Sequence, residues 1–153
     1  MLTAGIPVRF VVNTECAVLR DDKFLMITRG AAVKHASGVL GFPGGKVEAG
    51  DEPESVLEST VRREVLEETG ISISEEIEYV RSTAFTLADG TPVVDVLFLG
   101  SYEAGEPRIA DPGEVEGINW MTADEILAHE RTPPWLVDQI TAVTRHQRRR
   151  LRP

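Results

Sequence analysis

The sequence predicts an α/β fold, a mixed β-sheet held between helices, and three observations carry that expectation. β-rich runs recur from Glu15 onward, with Asp, Gly and Pro punctuation between them. One segment, GDEPESVLESTVRREVLEETG (50–70), has strong helical character, and two further helical segments follow towards the C-terminus. Strands and helices are mixed in order rather than strictly alternating, which favours a mixed sheet over a purely parallel one. With 153 residues the chain reads as a single domain, 1–153, long enough to bury a proper core.

Each element has a local reason. ECAVLRDDKFLMITR (15–29) forms a hairpin whose two β-rich runs meet at Asp21-Asp22. GAAVKHASGVLG (30–41) is a loop, and a short strand falls at Leu40–Phe42. Pro43-Gly44-Gly45 breaks that strand, and Lys46-Val47-Glu48 resumes an extended path. In the main helix Pro53 suits the first turn, Asp51 or Glu52 the cap, and Gly70 the stop. ISISEEIEYV (71–80), STAFTL (82–87) and VVDVLFLGSYEA (93–104) read as strands, the last two joined by a turn at Ala88-Asp89-Gly90. The loop GEPRIADPGEVEG (105–117) leads into a short strand, INWM. Thr122 to Glu125 is a capping box that opens a short helix to about His129. Pro133-Pro134 introduces the last helix, Trp135 to about Gln147, and the basic tail at about 145–153 is expected to be solvated and frayed.

Composition narrows the function classes. No apolar run approaches the roughly 20 residues that span a bilayer, so no membrane role is expected. The opening MLTAGIPVRFVVNTE lacks the basic, apolar, small-residue order of a signal peptide, and a cytoplasmic setting is the expectation. A lone cysteine, Cys16, excludes an internal disulfide and any CxxC metal site, and it reads as a small buried strand residue. The net charge of −9 argues against a general nucleic-acid binder, which must neutralise phosphates with Lys and Arg. Arg145, Arg148, Arg149, Arg150 and Arg152 crowd the last nine positions, where the helix dipole favours them.

The chemistry lies in REVLEETG (63–70). Glu64, Glu67 and Glu68 are spaced i, i+3, i+4 and share one helical face, on the side of Leu57 and Val61. A solvated acidic face is the bland alternative. Against it, like charges four apart cost a helix a few tenths of a kcal/mol, and anions near a helix C-terminus oppose the dipole. A cation resolves both costs. Clustered carboxylates with a backbone carbonyl are hard oxygen ligands suited to Mg²⁺ or Mn²⁺. The Gly44-Gly45 turn is able to bring such a carbonyl close.

GGKVEAGD (44–51) followed by REVLEETGI (63–71) resembles the Nudix box, G-x5-E-x7-R-E-U-x-E-E-x-G-U, where U is aliphatic. Gly45, Arg63, Glu64, Val65, Glu67, Glu68, Gly70 and Ile71 stand where that pattern asks. Two positions depart: the box's first glutamate is Asp51, and eleven residues instead of seven separate it from Arg63. Four extra residues are about 1.1 helical turns, which is compatible with a longer helix. Asp51, Glu52 or Glu54 is left to take the first acidic role, or none does.

The resemblance extends to MutT-like pyrophosphohydrolases through FLMITRGAAVKHASGVLGFPGGKVEAGD (24–51) and, later, through an acidic loop, a Trp-containing strand and a Pro-Pro turn. It implies a Nudix-type α/β/α sandwich around a mixed sheet, and hydrolysis of a nucleoside diphosphate linked to another group. It implies metal binding by the Gly44 carbonyl, Glu64, Glu67 and Glu68, with Mg²⁺ or Mn²⁺ as cofactor. Glu64 alternatively orients the attacking water, and Arg63 holds the carboxylates or is a plain solvated arginine. Counting six back from Trp120 gives Glu114 as a catalytic loop glutamate, with Glu116 and Asp111 as alternates.

Arg29 and Lys46 meet phosphate or base, or form structural ion pairs; His35 lines the substrate loop or is a surface histidine. Trp135 stacks on a base or packs. Leu136 stands where selectors of oxidised guanine carry asparagine, which argues against 8-oxo-dGTP. Nucleoside triphosphates, ADP-ribose and dinucleotides stay open, a non-catalytic nucleotide-binding module is the rival, and a homodimer is the family-level expectation.

Overall fold

The structure, a computed structural model, describes residues 5–153; residues 1–4, which begin the stretch read for a leader, lie outside the described residues. Strand β1 (Val11–Arg20) turns at Asp21-Asp22 into β2 (Lys23–Arg29), as the hairpin pattern predicts. Only the turn end of this hairpin pairs, through Leu19↔Phe24 and Arg20↔Lys23. Further along, β1 instead takes β4 (Gly44–Lys46) as its neighbour, while β2 takes β3 (Leu40–Gly41). Cys16 N–H donates to the Pro43 carbonyl at 3.0 Å, stitching the Pro-Gly-Gly turn to β1 where the hairpin splays. The extended path therefore resumes at Gly44 rather than Lys46.

β7 (Pro92–Ala104) runs parallel to β1 from Val11↔Val93 to Leu19↔Ser101. Its other side takes β6 (Glu78–Thr86) and then β5 (Ser72–Ile73), both antiparallel. The boundaries expected at 71–80 and 82–87 change accordingly. Ser72–Ile73 is a separate strand, and residues 78–86 form one strand with a bulge between Tyr79 and Arg81. β8 (Val115–Thr122) is longer than INWM and pairs with β2. The result is an eight-stranded mixed sheet in the order β3-β2-β1-β7-β5, with β4, β6 and β8 attached to β1, β7 and β2.

Period-2 alternation gives the sheet two apolar faces. One carries Cys16, Val18, Leu25, Val96 and Phe98 against Val61 and Val65 of α1 (Val56–Thr69). The other carries Ala17, Met26, Leu97 and Leu99 against α2 (Ala123–Ala128) and α3 (Pro134–Arg150), through Ile126, Leu136, Ile140 and Val143. Val61, Val65, Leu136 and Val143 are fully buried, each contributing on the order of 2 kcal/mol. The architecture is the expected α/β/α sandwich. α3 continues past Gln147 through Arg150, whose Nη1 meets Glu78 Oε2 at 2.7 Å, so the basic segment from Arg145 to Arg150 is helix, not frayed tail.

The insertion before Arg63 is also placed differently from expectation. α1 starts at Val56 behind Ser55, a left-handed cap residue (φ 51°), and ends at Gly70 (φ 75°). Residues 52–55 form an exposed bulge ahead of the helix, with Pro53 outside its first turn. The chain between Asp51 and α1 is thus loop rather than a longer helix.

Candidate active site

α1 delivers Arg63, Glu64, Glu67 and Glu68 from one side, and Gly44-Gly45 of β4 meets them from the other. Gly44 is sterically required by its backbone neighbours, and Gly45 leaves room for the Glu64 carboxyl. A Cβ on Gly44 would collide with the Thr14 carbonyl and lie 2.7 Å from Glu15 Cα; one on Gly45 would collide with the Glu64 carboxyl. Gly44 N–H donates to Glu68 Oε1 at 2.8 Å. The glycine turn thus meets the acidic face through the Gly44 amide. The Gly45 carbonyl accepts from Thr14 Oγ1 at 3.0 Å.

Arg63 organises the carboxylates. Its Nη1 donates to Glu64 Oε1 at 2.9 Å and to Glu67 Oε2 at 3.2 Å. Its Nε and Nη2 grip both oxygens of Asp51, at 2.9 and 3.1 Å. Asp51 Oδ2 also accepts from Glu48 N–H at 2.6 Å and Thr60 Oγ1 at 3.1 Å. Those donors, the Glu48 amide foremost and then Arg63, hold the Asp51 carboxyl below the usual range. Asp51 therefore anchors the guanidinium, while Glu52 and Glu54 are exposed on the bulge. Asp51→Asn removes the charge that fixes Arg63, and activity is expected to fall about 10- to 100-fold. Steady-state kinetics on folded variant protein checks this.

Burial pushes Glu64 up from its ordinary value against the pull of Arg63. Burial also pushes Glu68 up to about 7, outweighing the Gly44 amide, with the Glu64 charge adding to the shift. Glu67 is the open member, its side chain 59% exposed. The acidic loop closes over this group: Glu64, Glu67, Glu68, Asp111 and Glu114 line one cavity of about 70 Å³. Glu116 points elsewhere, to Arg131 at 3.0 Å. A larger open groove of about 540 Å³, between the start of α1 and residues 75–78, shares none of these residues.

The donor set fits a hard divalent cation: carboxylates crowded out of water, with one cationic side chain among them, are stabilised by added positive charge. Among the described residues no three acidic, histidine or cysteine side chains already converge as a ligand shell. Arg63 and the Gly44 amide hold the carboxylate oxygens instead.

The remaining sequence candidates lie around this group. Arg29 Nε donates to the His35 carbonyl at 3.1 Å, and its charge reaches both Glu15 and Glu68. Lys46 is exposed at the end of β4 and lends its carbonyl to Arg63 Nη2 at 3.3 Å. Trp135 stacks on His35 rather than packing into the core (centroids 6.0 Å, interplanar 23°), and Leu136 is fully buried there instead.

Sequence reasoning missed Glu15 and Asp95. Burial, then the neighbouring Asp95 charge, pushes Glu15 up to about 8, and burial raises Asp95 as well. The available signal was a charged residue inside each of two apolar strand runs, VVNTECAVLR and VVDVLFLG.

Comparison with known proteins agrees with this construction. The NUDIX domain family matches residues 10–142. The NAD-capped RNA hydrolase NudC of Enterobacter sp. (strain 638) is 32% identical over 110 residues, covering 72% of this chain and 38% of that protein. The chain thus spans well under half the length of such curated relatives. The crystal structure of a MutT NUDIX hydrolase from Burkholderia pseudomallei superposes with a TM-score of 0.74 at 26% identity, covering 88% of this chain and 98% of that one. The MutT protein from Methanosarcina mazei Go1 shares the fold, with a TM-score of 0.74 at 22% identity over 94% of this chain and 99% of that one. With Arg63, Glu64, Glu67 and Glu68 of the box and the sandwich in place, the chain belongs to the Nudix family.

Proposed function

We propose that the chain is a metal-dependent pyrophosphohydrolase that cleaves a nucleoside diphosphate linked to another moiety, a nucleoside triphosphate or similar nucleotide, by attack of water on phosphorus. The observation that carries the reading is the meeting of Glu64, Glu67, Glu68 and Glu114 at one small cavity beside Arg63. Glu64, Glu67, Glu68 and the Gly44 carbonyl would hold Mg²⁺ or Mn²⁺. Such an ion, when bound, offsets the diphosphate charge, lowers the pKa of water and stabilises the leaving phosphate.

The rest is work for the chain's own groups. Glu64 or Glu114 takes the proton of the attacking water as general base. Arg63, fixed by Asp51, aims Glu64 and Glu67 at the cavity. Arg29 and Lys46 face the substrate phosphates with positive charge, and Trp135 offers a ring to the base.

A second reading is a dinucleotide pyrophosphatase acting on an NAD-type substrate, favoured by the 32% identity to NAD-capped RNA hydrolases. A non-catalytic module is disfavoured, because Glu64, Glu67 and Glu68 of the box are all retained. The deciding experiment is a panel of nucleoside triphosphates, ADP-ribose, NAD, dinucleoside polyphosphates and NAD-capped RNA, with Mg²⁺, Mn²⁺ or chelator, and identified products. Turnover is expected with metal only, falling at least about a hundredfold in Glu67→Gln. Full activity in chelator, or an unaffected variant, overturns the mechanism.

A further inference from the structure

The carboxylate cluster serves the phosphates and leaves a second polar group unexplained, on the α3 face of the sheet. Asn13 and Glu15 lie on that face of β1, in line with Ala17, and Asp95 of β7 stands opposite Asn13 in the parallel register. Asn13 Nδ2 donates to Asp95 Oδ1 at 2.7 Å, and Gln139 Nε2, reaching down from α3, donates to Glu15 Oε2 at 2.5 Å. Each carboxyl keeps a second oxygen, Asp95 Oδ2 and Glu15 Oε1, with no donor among the described residues. Neither is sealed away, since among the described residues the buried side-chain polar atom without a partner is His146 Nε2. Asp95 is nonetheless 5% exposed. Two amides thus hold two carboxyl groups, each with one oxygen still able to accept.

An aromatic wall borders these acceptors. Trp135 lies one helical turn before Gln139 on the same side of α3. Its ring stacks on His35, which in turn stacks on Phe85 of β6 (5.8 Å, 20°). Trp135 and Phe85 stay 48% and 41% exposed, so flat apolar surface is left in water beside fixed acceptors. Thr83, two residues before Phe85, pairs with Asp95 across β6 and β7. Arg29 joins this wall to the phosphate site, holding the His35 carbonyl.

We infer that Glu15 and Asp95, positioned by Gln139 and Asn13, read the base of the substrate, and that they select a base with two adjacent N–H donors, that of a guanine nucleotide. The inference rests on the nucleotide reading above. Guanine alone among the common bases offers two neighbouring donors on its pairing edge, the ring N1–H and the 2-amino group. Adenine and cytosine set a donor beside an acceptor, and uracil sets one N–H between two carbonyls. Two N–H donors approaching these buried carboxyls favour their ionised form, and carboxylate oxygens, which then only accept, fit the first edge and oppose the acceptors of the others. Leu136, buried in the core, takes no part, so recognition falls to the sheet.

Two assays separate this inference from the reaction. In metal-free calorimetry, GMP is expected to bind at least about tenfold more tightly than IMP, which lacks only the 2-amino group, and more tightly than AMP. With Mg²⁺, kcat/KM is expected to rank GTP above ITP and ATP. Glu15→Gln, checked as folded by thermal melting, is expected to bring the GMP/IMP ratio to within about twofold, because an amide presents one acceptor instead of two. Gln139→Ala is expected to lower the GTP/ITP ratio and to raise KM for GTP more than it lowers kcat. Hydrolysis without any guanine preference overturns the base site and spares the reaction. A GMP preference without hydrolysis of any triphosphate upholds the base site and sinks the reaction. Should Glu15→Gln fail to fold, Asp95→Asn and the parent GMP/IMP ratio decide, and equal binding of GMP and IMP overturns the inference.

Discussion

Glu68→Gln is expected to abolish turnover and yet to leave the metal-free protein as stable as the parent, or more so. The two effects have one origin. Glu68 lies half-buried, its Oε1 accepting from the Gly44 amide, and burial pushes its carboxyl up to about 7 from an ordinary 4.5. A value raised in the folded state means that folding favours the protonated form. The carboxyl is therefore harmless below about pH 4.5, and it destabilises the metal-free fold increasingly as pH rises through about 7, by on the order of 2 kcal/mol. Glutamine keeps the acceptor for Gly44 and removes the charge. Denaturant titrations in chelator should show parent stability falling between about pH 4.5 and 8, with a flatter profile for the variant. Turnover should drop about a thousandfold or more, roughly 4 kcal/mol of barrier. A flat parent profile, or a variant that still turns over, sinks the assignment of Glu68.

The paired glycines should fail in opposite ways. In Gly44→Ala the new Cβ meets backbone, the Thr14 carbonyl and Glu15 Cα, and backbone in a paired strand has nowhere to go. Relief requires opening the β1–β4 pairing, at a cost of about 3 kcal/mol or more. In Gly45→Ala the Cβ meets the Glu64 carboxyl, the free end of a side chain that is able to swing away. Stability should fall by about 1 kcal/mol or less, while the displaced carboxylate loses Arg63 and costs activity at least about a hundredfold. Denaturation midpoints and kcat/KM on both variants check the contrast. Equal stability losses would show that Glu64 is as rigidly placed as the strand itself.

Much of this was legible in the chain. The spacing of Glu64, Glu67 and Glu68 places them on one helical face, and the box pattern points to Gly44-Gly45 as the opposing element. Both depend on local periodicity, which one sequence displays fully. Where α1 begins was not legible, because Pro53 suits a first helical turn as well as it suits a bulge; Ser55 in a left-handed conformation decided it. The role of Asp51 depends on a bond to Arg63 that spans twelve positions. Glu15, Asp95 and Gln139 come from three separate elements, and only the parallel β1–β7 register and the packing of α3 bring them to one face. Strand pairing of that kind leaves no local pattern.

The bulge at 52–55 has a consequence for protein engineering. Its near end is clamped by Asp51 to Arg63 and its far end by the Ser55 turn into α1, so the carboxylate face is held independently of how much chain lies between. Lengthening a flexible loop costs only about 0.6 kcal/mol per doubling. The position is thus a natural port for grafting a tag, a reporter peptide or a tether within sight of the cavity. The geometry of Arg63 and the three glutamates would be unaltered.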